Sequence, residues 1–576
     1  MMKRKNKFTI NYLELYNKYF KSENKLLILL CLFVLCAAVV QSFSPYIYGK
    51  LIDLVASGNI IRLKFNLITY LLILLFITLF GSLENYYGII VTTRISNNIR
   101  RKFFYHIFSM KCECIDKYTI GELLSRFEGD ISIIVNFYIN VITSIFMIIL
   151  NIIISLVFMY KTSIYLSLIS MFFIAMPYII NLVFKNKLKI LYDNLRRNVD
   201  KYTNYLNEAL LNIKNIKIFQ SEEYISSDFN KHLKNYYAVF KDQNKLNTII
   251  TILKDIINNF FSVLLLYISA SLISFGKLTI GSLISFSSYL SKLNGAINAL
   301  LTLDLGKQSL YVSLERIMSI EKEDIEINDG YIYNNQLDVM NFIIKDIKFS
   351  YGSDNILKNI SFECNSAGLY SIVGRNGCGK STLFKLFERL YEYDEGDIFI
   401  NSISIKQMPI NKLRYYFSYM QKEPFILNDT IINNIKMGND TQFDLIVDIC
   451  KKVRIHDYII SLKSQYNSIL GVGGISLSSG QKQKLCLARV LLRNTPILLL
   501  DEVTSDLDGE AEKDIINIIK NLSKNIIIIA ISHSTSLVME SDKIILLNDG
   551  KINQIGLYHE LMNSNDNFKT LFYSKT

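Results

Sequence analysis

Six long runs of hydrophobic residues fill most of the first half of the chain, and stretches rich in basic residues separate several of them. Each run approaches or exceeds the roughly 20 residues that a helix needs to cross a bilayer. The first run is too long for a signal peptide, and no cleavage site of small residues follows it. The pattern therefore predicts six membrane-spanning helices, at approximately residues 26–44, 68–91, 131–160, 163–184, 249–275 and 278–303.

The basic residues between these runs are distributed unevenly. With the N-terminus inside, the inner segments 1–25, 94–130 and 185–246 contain 26 Lys and Arg residues, whereas the outer segments contain 5. Cytoplasmic loops of membrane proteins carry such an excess. We therefore expect a multi-pass membrane protein, surrounded by lipid, with both termini in the cytoplasm. The Ile-, Lys- and Asn-rich composition suggests an AT-rich bacterial genome, so the expected membrane is the bacterial cytoplasmic membrane. The outer segments are approximately residues 47–67, 160–162 and 271–280.

The pattern changes after about residue 326, where short runs of β-branched residues alternate with helical stretches. This alternation is typical of an α/β domain with a mainly parallel sheet. The predicted fold class is a multi-domain membrane protein, in which an all-α domain of six membrane helices precedes an α/β domain. We expect a cytoplasmic segment over residues 1–25, the membrane domain over 26–320 and the α/β domain over 326–576. The predicted strands include residues 342–349, 369–373, 497–500 and 526–531.

The composition excludes several other classes of protein. The chain is 50% hydrophobic and has 25 Gly, 5 Pro and 8 Cys among 576 residues, which excludes disordered, collagen-like and disulfide-framework proteins. A formal net charge of +12 can indicate a nucleic-acid partner, but here the basic residues flank the apolar runs. We therefore assign them to loops that face an anionic inner leaflet, and we expect no nucleic acid as a partner.

A glycine-rich loop lies between the second predicted strand and a predicted helix. Residues 374–382 read Gly-Arg-Asn-Gly-Cys-Gly-Lys-Ser-Thr and fit the pattern G-x-x-x-x-G-K-[ST]. Glycines let backbone N–H groups turn towards phosphate oxygens, and the helix N-terminus adds positive potential. Lys380 can neutralise charge on the β- and γ-phosphates, and Ser381 can offer its hydroxyl to Mg²⁺. The residues expected to hold the nucleotide are Gly374, Asn376, Gly377, Cys378, Gly379, Lys380, Ser381 and Thr382.

Two acidic residues, Asp501 and Glu502, directly follow the hydrophobic run at residues 497–500. An acid at the carboxyl end of a strand lies where ligands bind in open α/β sheets. Asp501 suits coordination of Mg²⁺, and Glu502 suits activation of an attacking water as a general base. The acids and the glycine-rich loop together predict a domain that handles phosphate groups.

The segment Leu477–Gln481, with the sequence Leu-Ser-Ser-Gly-Gln, resembles the signature motif of ATP-binding cassette proteins. The other motifs of that family are present in order. Tyr351 resembles the aromatic residue that stacks on adenine, and Gln421 resembles the glutamine that links the γ-phosphate and Mg²⁺ to the membrane domain. Residues 505–508 resemble the loop that crosses the dimer, and His533 resembles the switch histidine. The signature residues that this resemblance assigns to nucleotide binding are Ser478, Ser479, Gly480 and Gln481.

The chain as a whole resembles a half-transporter of the ATP-binding cassette exporter type. The resemblance implies two chains that form a dimer, with each ATP held between the Lys380 loop of one chain and residues 478–481 of the other. It implies hydrolysis coupled to transport of a peptide, a drug-like hydrophobic molecule or a lipid. Glu502 is retained, which favours a homodimer, and the intact half of a heterodimer is the alternative. The residues implied in catalysis are Glu502, His533, Gln421 and Lys380, and those implied in holding Mg²⁺ are Ser381, Gln421 and Asp501.

Some positions depart from the family pattern. Ser479 stands where Gly is usual, Val472 where an acid is frequent, Asp506 where a small residue is usual, and Ser534 where Arg is common. These departures leave the phosphate loop and the two acids intact, so the site is predicted to hydrolyse ATP. Cys378 is compatible with nucleotide binding, although its alkylation should block the loop sterically.

Two further features concern coupling and cargo. Residues 121–126 and 210–219 resemble the two coupling helices of exporters, although ordinary helix packing explains their amphipathic pattern equally well. Glu84 and Lys292 are ionisable groups inside predicted spans. Either they line a polar cavity that contacts cargo, or their side chains extend to the membrane surface.

The sequence leaves the type of transport open. A lipid flippase would use the same machinery with another route for cargo, and a regulatory membrane ATPase would move nothing. An importer is disfavoured, because importers of this superfamily generally carry the two domains on separate chains. ATPases that handle DNA have a related domain without six spans, which excludes that class.

Overall fold

The computed structural model describes residues 16–328, 341–471, 473–504, 507 and 509–573. The chain divides into two compact units. The first, here called the membrane unit, comprises Met1–Phe104 and Gly121–Glu321. The second, here called the α/β unit, comprises Tyr105–Ile120 and Lys322–Thr576.

Long helices dominate the described part of the membrane unit. Three of them have 48 to 53 residues, which at 1.5 Å per residue is about 70–80 Å. Because the hydrocarbon core of a bilayer is about 30 Å thick, these helices project well beyond it. The helices in the first part of the chain are α1 (Asn24–Ala56), α2 (Ile60–Ser109), α3 (Cys112–Ile115), α4 (Ile120–Ser125), α5 (Ile131–Thr162), α6 (Ile164–Leu211), α7 (Ile213–Ile218), α8 (Glu222–Ser274) and α9 (Ile280–Glu321).

Five described helical segments are long and apolar enough to cross a membrane. The sixth predicted span, residues 278–303, lies in α9, which has 42 residues. Several side chains of α9 from residue 301 onwards lie outside the described residues. The prediction of a helical membrane domain is confirmed. The five segments are Asn17–Ala56, Ile60–Ser109, Ile120–Thr162, Ile164–Leu211 and Glu222–Ser274.

The predicted outer segment at residues 47–67 is largely helical. Helix α1 continues through Pro45 to Ala56, and α2 begins at Ile60. This end of α1 packs closely against α9, since a Cβ on Gly49 would lie 2.4 Å from the carbonyl oxygen of Gly281. Only glycine permits the two helices to approach so closely. The Asp53 carboxylate then accepts a hydrogen bond of 2.8 Å from the Gly281 N–H.

The α/β unit contains two sheets. The first has the order β2-β1-β4-β5 and is antiparallel, and the second has the order β10-β9-β3-β8-β7-β6. In the second sheet, β9, β3, β8, β7 and β6 are parallel and β10 is antiparallel. The strands are β1 (Phe342–Tyr351), β2 (Asp354–Cys364), β3 (Gly368–Val373), β4 (Glu395–Ile400), β5 (Ile403–Ser404), β6 (Phe417–Met420), β7 (Ile497–Asp501), β8 (Ile527–Ile531), β9 (Lys543–Asn548) and β10 (Lys551–Gly556).

Strands β3, β7 and β8 are buried along their whole length, as expected for central strands of a parallel sheet covered by helices. The predicted α/β domain is thus confirmed. The helices of the described unit are α10 (Lys380–Phe387), α11 (Ile410–Leu413), α12 (Ile431–Lys436), α13 (Phe443–Lys452), α14 (His456–Ser461), α15 (Ser479–Leu492), α16 (Gly509–Leu522), α17 (Thr535–Met539), α18 (Tyr558–Ser564) and α19 (Asp566–Tyr573).

One strand was not predicted, and it changes the position of the glycine-rich loop in the strand order. β2 pairs with β1, and its buried positions alternate with exposed ones over much of its length. A half-buried strand gives a weaker hydrophobic signal than a continuous apolar run. The loop therefore follows the third strand of the domain rather than the second.

The α/β unit includes the segment Tyr105–Ile120, which precedes the predicted coupling helix at residues 121–126. The Lys111 N–H donates to the carbonyl oxygen of Asp324 at 3.0 Å, and the Tyr391 hydroxyl donates to the Asp116 carboxylate. Residues 121–126 belong to the membrane unit, and their role as a coupling helix remains a prediction. The predicted second coupling segment, residues 210–219, contains α7, and its role also remains a prediction.

Candidate nucleotide-binding site

Four of the predicted motifs follow neighbouring parallel strands. The loop of Lys380 follows β3, His533 follows β8, Glu502 follows β7, and Gln421 follows β6. The carboxyl ends of adjacent parallel strands meet at one edge of a sheet, where ligands bind in such folds. The topology thus gathers residues that are up to about 150 positions apart in the sequence at one edge of the α/β unit.

The glycine-rich loop wraps around the lysine side chain. Lys380 Nζ donates to the carbonyl oxygens of Gly374 and Arg375, at 2.7 and 3.0 Å. Gly379 has φ of +101°, and a Cβ on Gly374 would lie 2.2 Å from the carbonyl oxygen of Leu547, so both positions require glycine. Lys380 is 6% exposed, and burial lowers the pKa of its ammonium group. The loop conformation and the N-terminus of α10 suit a bound phosphate.

Cys378 is buried within this loop, at 7% exposure. Burial raises the pKa of its thiol, so the thiolate that reacts with alkylating agents is scarce at neutral pH. Alkylation at this position should therefore be slow.

Asp501 lies beside the hydroxyl groups of two other residues. The Tyr419 hydroxyl donates to its Oδ2 at 3.1 Å, and Ser381 also hydrogen-bonds the carboxylate. Burial raises the pKa of Asp501, and these hydrogen bonds offset that shift only in part. A carboxylate and a hydroxyl side by side are the hard oxygen donors that Mg²⁺ prefers. The residues present fit Mg²⁺, and Gln421 lies exposed in the loop that follows β6.

Glu502 contacts residues at the ends of the two strands that flank β7, which are β6 and β8. Its backbone N–H donates to the Ile531 carbonyl oxygen at 2.9 Å, and its φ of +49° lies in the left-handed region. Lys422 Nζ lies 2.5 Å from Oε2, and His533 Nε2 lies 3.6 Å from Oε1. Burial would raise the pKa of Glu502, but the hydrogen bond and charge of Lys422, aided by His533 and Lys380, lower it overall. The carboxylate is therefore ionised at neutral pH.

Tyr351 stands at the end of β1 with 37% of its surface exposed. Its ring meets that of Tyr391 edge to face, at a centroid distance of 5.3 Å. Lys385 Nζ lies 5.9 Å from the Tyr351 ring centroid and 5.3 Å from that of Tyr391. This partly exposed ring is positioned by aromatic neighbours, as a stacking platform for a base requires.

The signature segment forms the N-terminus of α15. The Ser478 hydroxyl accepts a hydrogen bond from the Gln481 N–H at 3.3 Å, and Gln481 Oε1 accepts one from the Ser478 N–H at 3.0 Å. This capping box fixes the start of the helix. Ser478 and Ser479 are exposed. A Cβ on Gly480 would meet only ordinary contacts, at 3.5 Å or more, so packing within the chain does not require this glycine.

Of the other positions that depart from the family pattern, the structure describes Ser534. Ser534 begins α17 as its N-cap, and its hydroxyl also donates to the Glu512 carboxylate. A serine at this position therefore stabilises the local helix. Val472, Ser505, Asp506 and Asp508 lie outside the described residues.

Two residues of the site were missed in the sequence. Tyr419 and Lys422 flank the predicted Gln421 and contact the two acids at the end of β7, Asp501 and Glu502. Their position at the end of a strand beside β7 was the available signal, but strand order is not readable from one sequence.

The membrane unit contains a cavity of about 270 Å³ that both predicted intramembrane charges line. Glu84 comes from α2 and Lys292 from α9. The two residues therefore line the same cavity, and their contact with cargo stays a prediction.

Comparisons with known families agree with both halves of the structure. The family model of the ABC transporter transmembrane region matches residues 27–297, and the ABC transporter model matches residues 357–505. A model of an AAA domain matches residues 475–540, within the α/β unit.

Known proteins resemble the chain over most of its length. It is 28% identical to an export ATP-binding/permease protein of Rickettsia typhi, over 96% of this chain and 97% of that one. It is 27% identical to a multidrug export ATP-binding/permease protein of Staphylococcus aureus, over 84% of each chain. It is 28% identical to ABC transporter B family member 1 of Dictyostelium discoideum over 92% of this chain, and spans 60% of that longer protein.

A solved structure shares the fold. The structure of a bacterial Atm1-family ABC exporter with ATP bound superposes with a TM-score of 0.80 at 22% identity, covering 96% of this chain and 99% of that one. Both units thus match, in order, the two parts of one transporter architecture, and the chain is a member of the ABC transporter family, an ATPase half-transporter of the exporter type.

Proposed function

We propose that this protein exports a peptide, a drug-like molecule or a lipid from the cytoplasm or the inner leaflet by alternating access driven by ATP hydrolysis. The observation that carries the proposal is the gathering of Lys380, Asp501, Glu502 and His533 at one sheet edge of a chain that also contains long membrane helices. The excess of basic residues in the inner segments favours a cytoplasmic location of the α/β unit. The Ile-, Lys- and Asn-rich composition favours a bacterial cytoplasmic membrane.

Each residue at this edge has a distinct role in hydrolysis. Lys380 and the loop N–H groups bind the β- and γ-phosphates of ATP. Glu502 accepts a proton from the attacking water, and His533, beside it, contacts the γ-phosphate. Ser381, Asp501 and Gln421 would hold Mg²⁺. The bound metal would neutralise charge that develops on the phosphates.

The second half of the ATP site comes from another copy of the chain. The exposed N-terminus of α15 carries the signature residues, and a helix N-terminus attracts anions. The room around Gly480 is consistent with a group that approaches from outside the chain. Because the site retains Glu502, two identical chains suffice to form two hydrolytic sites, which supports a homodimer.

The test is ATP turnover by the purified chain in lipid nanodiscs, followed by ATP-dependent uptake of cargo into inside-out vesicles. Glu502→Gln should bind ATP but lose turnover by about 10²–10⁴-fold, and Lys380→Ala should fail to retain ATP. Turnover by the single chain that rises with one class of cargo supports a homodimeric exporter. Turnover no higher than that of Glu502→Gln would contradict the homodimer, and turnover without uptake of any cargo class would contradict export.

A further inference from the structure

The cavity in the membrane unit is formed by helices far apart in sequence. Its volume is about 270 Å³, which suits a charged headgroup or a very short peptide rather than a large cargo molecule. Amide, hydroxyl and charged side chains share its wall with apolar ones. Its lining includes Gln41 from α1, Glu84 from α2, Thr143 and Asn151 from α5, and Lys292 from α9.

The two charges in this lining have opposite sign and do not form a pair with each other. Among the described residues no ion pair or hydrogen bond joins Glu84 to Lys292. Lys292 Nζ instead donates to the backbone carbonyl oxygen of Gln41. An acid and a base therefore face the same space while each keeps capacity for a further charged partner.

The placement of these groups is costly unless a partner compensates it. An ionisable group within the bilayer costs a few kcal/mol, and a direct ion pair would reduce that cost. Groups that reach for the membrane surface would turn away from the protein interior. Glu84 and Lys292 do not form an ion pair with each other, and both face the protein interior, where they line the same cavity as Asn151.

We propose that this cavity binds the zwitterionic end of an amphiphilic cargo, with Glu84 receiving its ammonium group and Lys292 its anionic group. Met147, Ile148 and Ala296 form the apolar part of the wall, which suits the adjoining hydrophobic stem. A phosphoethanolamine headgroup and a short peptide with free termini share this chemistry. This inference rests on the proposed function, because the site would select the cargo that the protein exports.

Binding is measured without nucleotide, so that the result does not depend on ATP hydrolysis. The chain contains no Trp. A tripeptide Leu-Trp-Leu therefore reports its own binding by fluorescence, with empty nanodiscs as the background. The peptide is compared in three forms: with free termini, N-acetylated, and C-amidated. We expect the free form to bind roughly ten- to a hundredfold more tightly than either blocked form.

Two variants assign the charges. Glu84→Gln should abolish the preference for a free amine while keeping the preference for a free carboxylate, and Lys292→Gln should do the reverse. Lys254→Gln and Asp255→Asn on α8 are matched controls in the membrane unit and should keep both preferences. The double reversal Glu84→Lys with Lys292→Glu should restore binding that each single reversal removes, because the zwitterion can turn around.

The source of the zwitterion is resolved by competition. Lysophosphatidylethanolamine should displace the tripeptide more strongly than lysophosphatidylglycerol, which lacks the ammonium group, if a lipid is the natural ligand. Equal displacement by the two lipids, with the peptide preferences intact, assigns the site to peptides. Equal binding of all three peptide forms to the parent chain would overturn the proposal even if ATP-driven uptake is normal. Failed uptake with intact preferences would instead overturn the export function alone.

Discussion

Lys422 and Glu502 form an ion pair in which Nζ lies 2.5 Å from Oε2. The other carboxylate oxygen of Glu502 faces His533 Nε2 at 3.6 Å. Lys422 thus helps to keep the proposed general base ionised, against the effect of its burial. The pair joins the loop after β6 to the end of β7, so it also connects the neighbourhood of Gln421 to the hydrolytic carboxylate.

Replacement of Lys422 should change the pH dependence of turnover. In Lys422→Ala the pKa of Glu502 should rise, because burial then acts with less opposition. The acid limb of the plot of kcat against pH should therefore move to higher pH, and activity should fall more at pH 6 than at pH 8. Lys524→Ala, at an exposed position, is the matched control. Superimposable profiles of Lys422→Ala and the parent chain would contradict this role.

Two glycines should respond differently to alanine. Gly374→Ala would place a Cβ 2.2 Å from the Leu547 carbonyl oxygen, so it should lower both the melting temperature and ATP affinity. Gly480→Ala meets nothing nearer than 3.5 Å and should keep the parent melting temperature, yet reduce turnover because the nucleotide and the second chain approach there. The measurements are thermal unfolding and ATPase rates in nanodiscs. Unchanged turnover in Gly480→Ala would argue against the signature contact.

Glu388 should make stability depend on pH. Burial raises its pKa to about 7, although Arg493 and Arg414 oppose the shift. An acid whose pKa is raised on folding binds more protons in the folded state, so stability falls as pH rises from about 4.5 to 7 and then levels off. A rise in pKa to about 7 corresponds to a loss of roughly 3 kcal/mol of folding stability above neutral pH.

Glu388→Gln should therefore raise the melting temperature of the α/β unit at pH 8 and leave it nearly unchanged at pH 4.5. Thermal unfolding of the full chain at a series of pH values measures this. A gain that is equal at all pH values would show that lost carboxylate charge is not the cause.

The contact between Tyr391 and Asp116 should hold the segment Tyr105–Ile120 on the α/β unit. Tyr391→Phe keeps the ring but removes the hydrogen bond to the carboxylate. Because a hydrogen bond to a charged group contributes about 1.5–3 kcal/mol, amide hydrogen exchange over residues 105–120 should accelerate by roughly tenfold or more. Tyr393→Phe is the control, since Tyr393 bonds Asp397 within the domain. Identical exchange in the two variants would remove Tyr391 from this role.

Local patterns along the chain predict the architecture and much of the chemistry. Apolar runs of membrane length predict helices because an isolated segment in lipid must satisfy its own backbone hydrogen bonds. The glycine pattern of residues 374–382 predicts the phosphate loop, because few residue types tolerate that backbone. These signals are local, so they can be read from the sequence without knowing which strands are neighbours. Signals from half-buried elements such as β2 are weaker, and that strand was missed.

Which residues share a site becomes visible only in the folded domains. Lys422 and Tyr419 act on acids about 80 positions away because β6 lies beside β7, and strand order depends on packing of the whole domain. The cavity with Glu84 and Lys292 likewise requires α2 and α9 to line the same space. Gly49 and Gly281 set how closely α1 and α9 approach. Such relationships arise from contacts between distant segments, which periodicity along one chain does not encode.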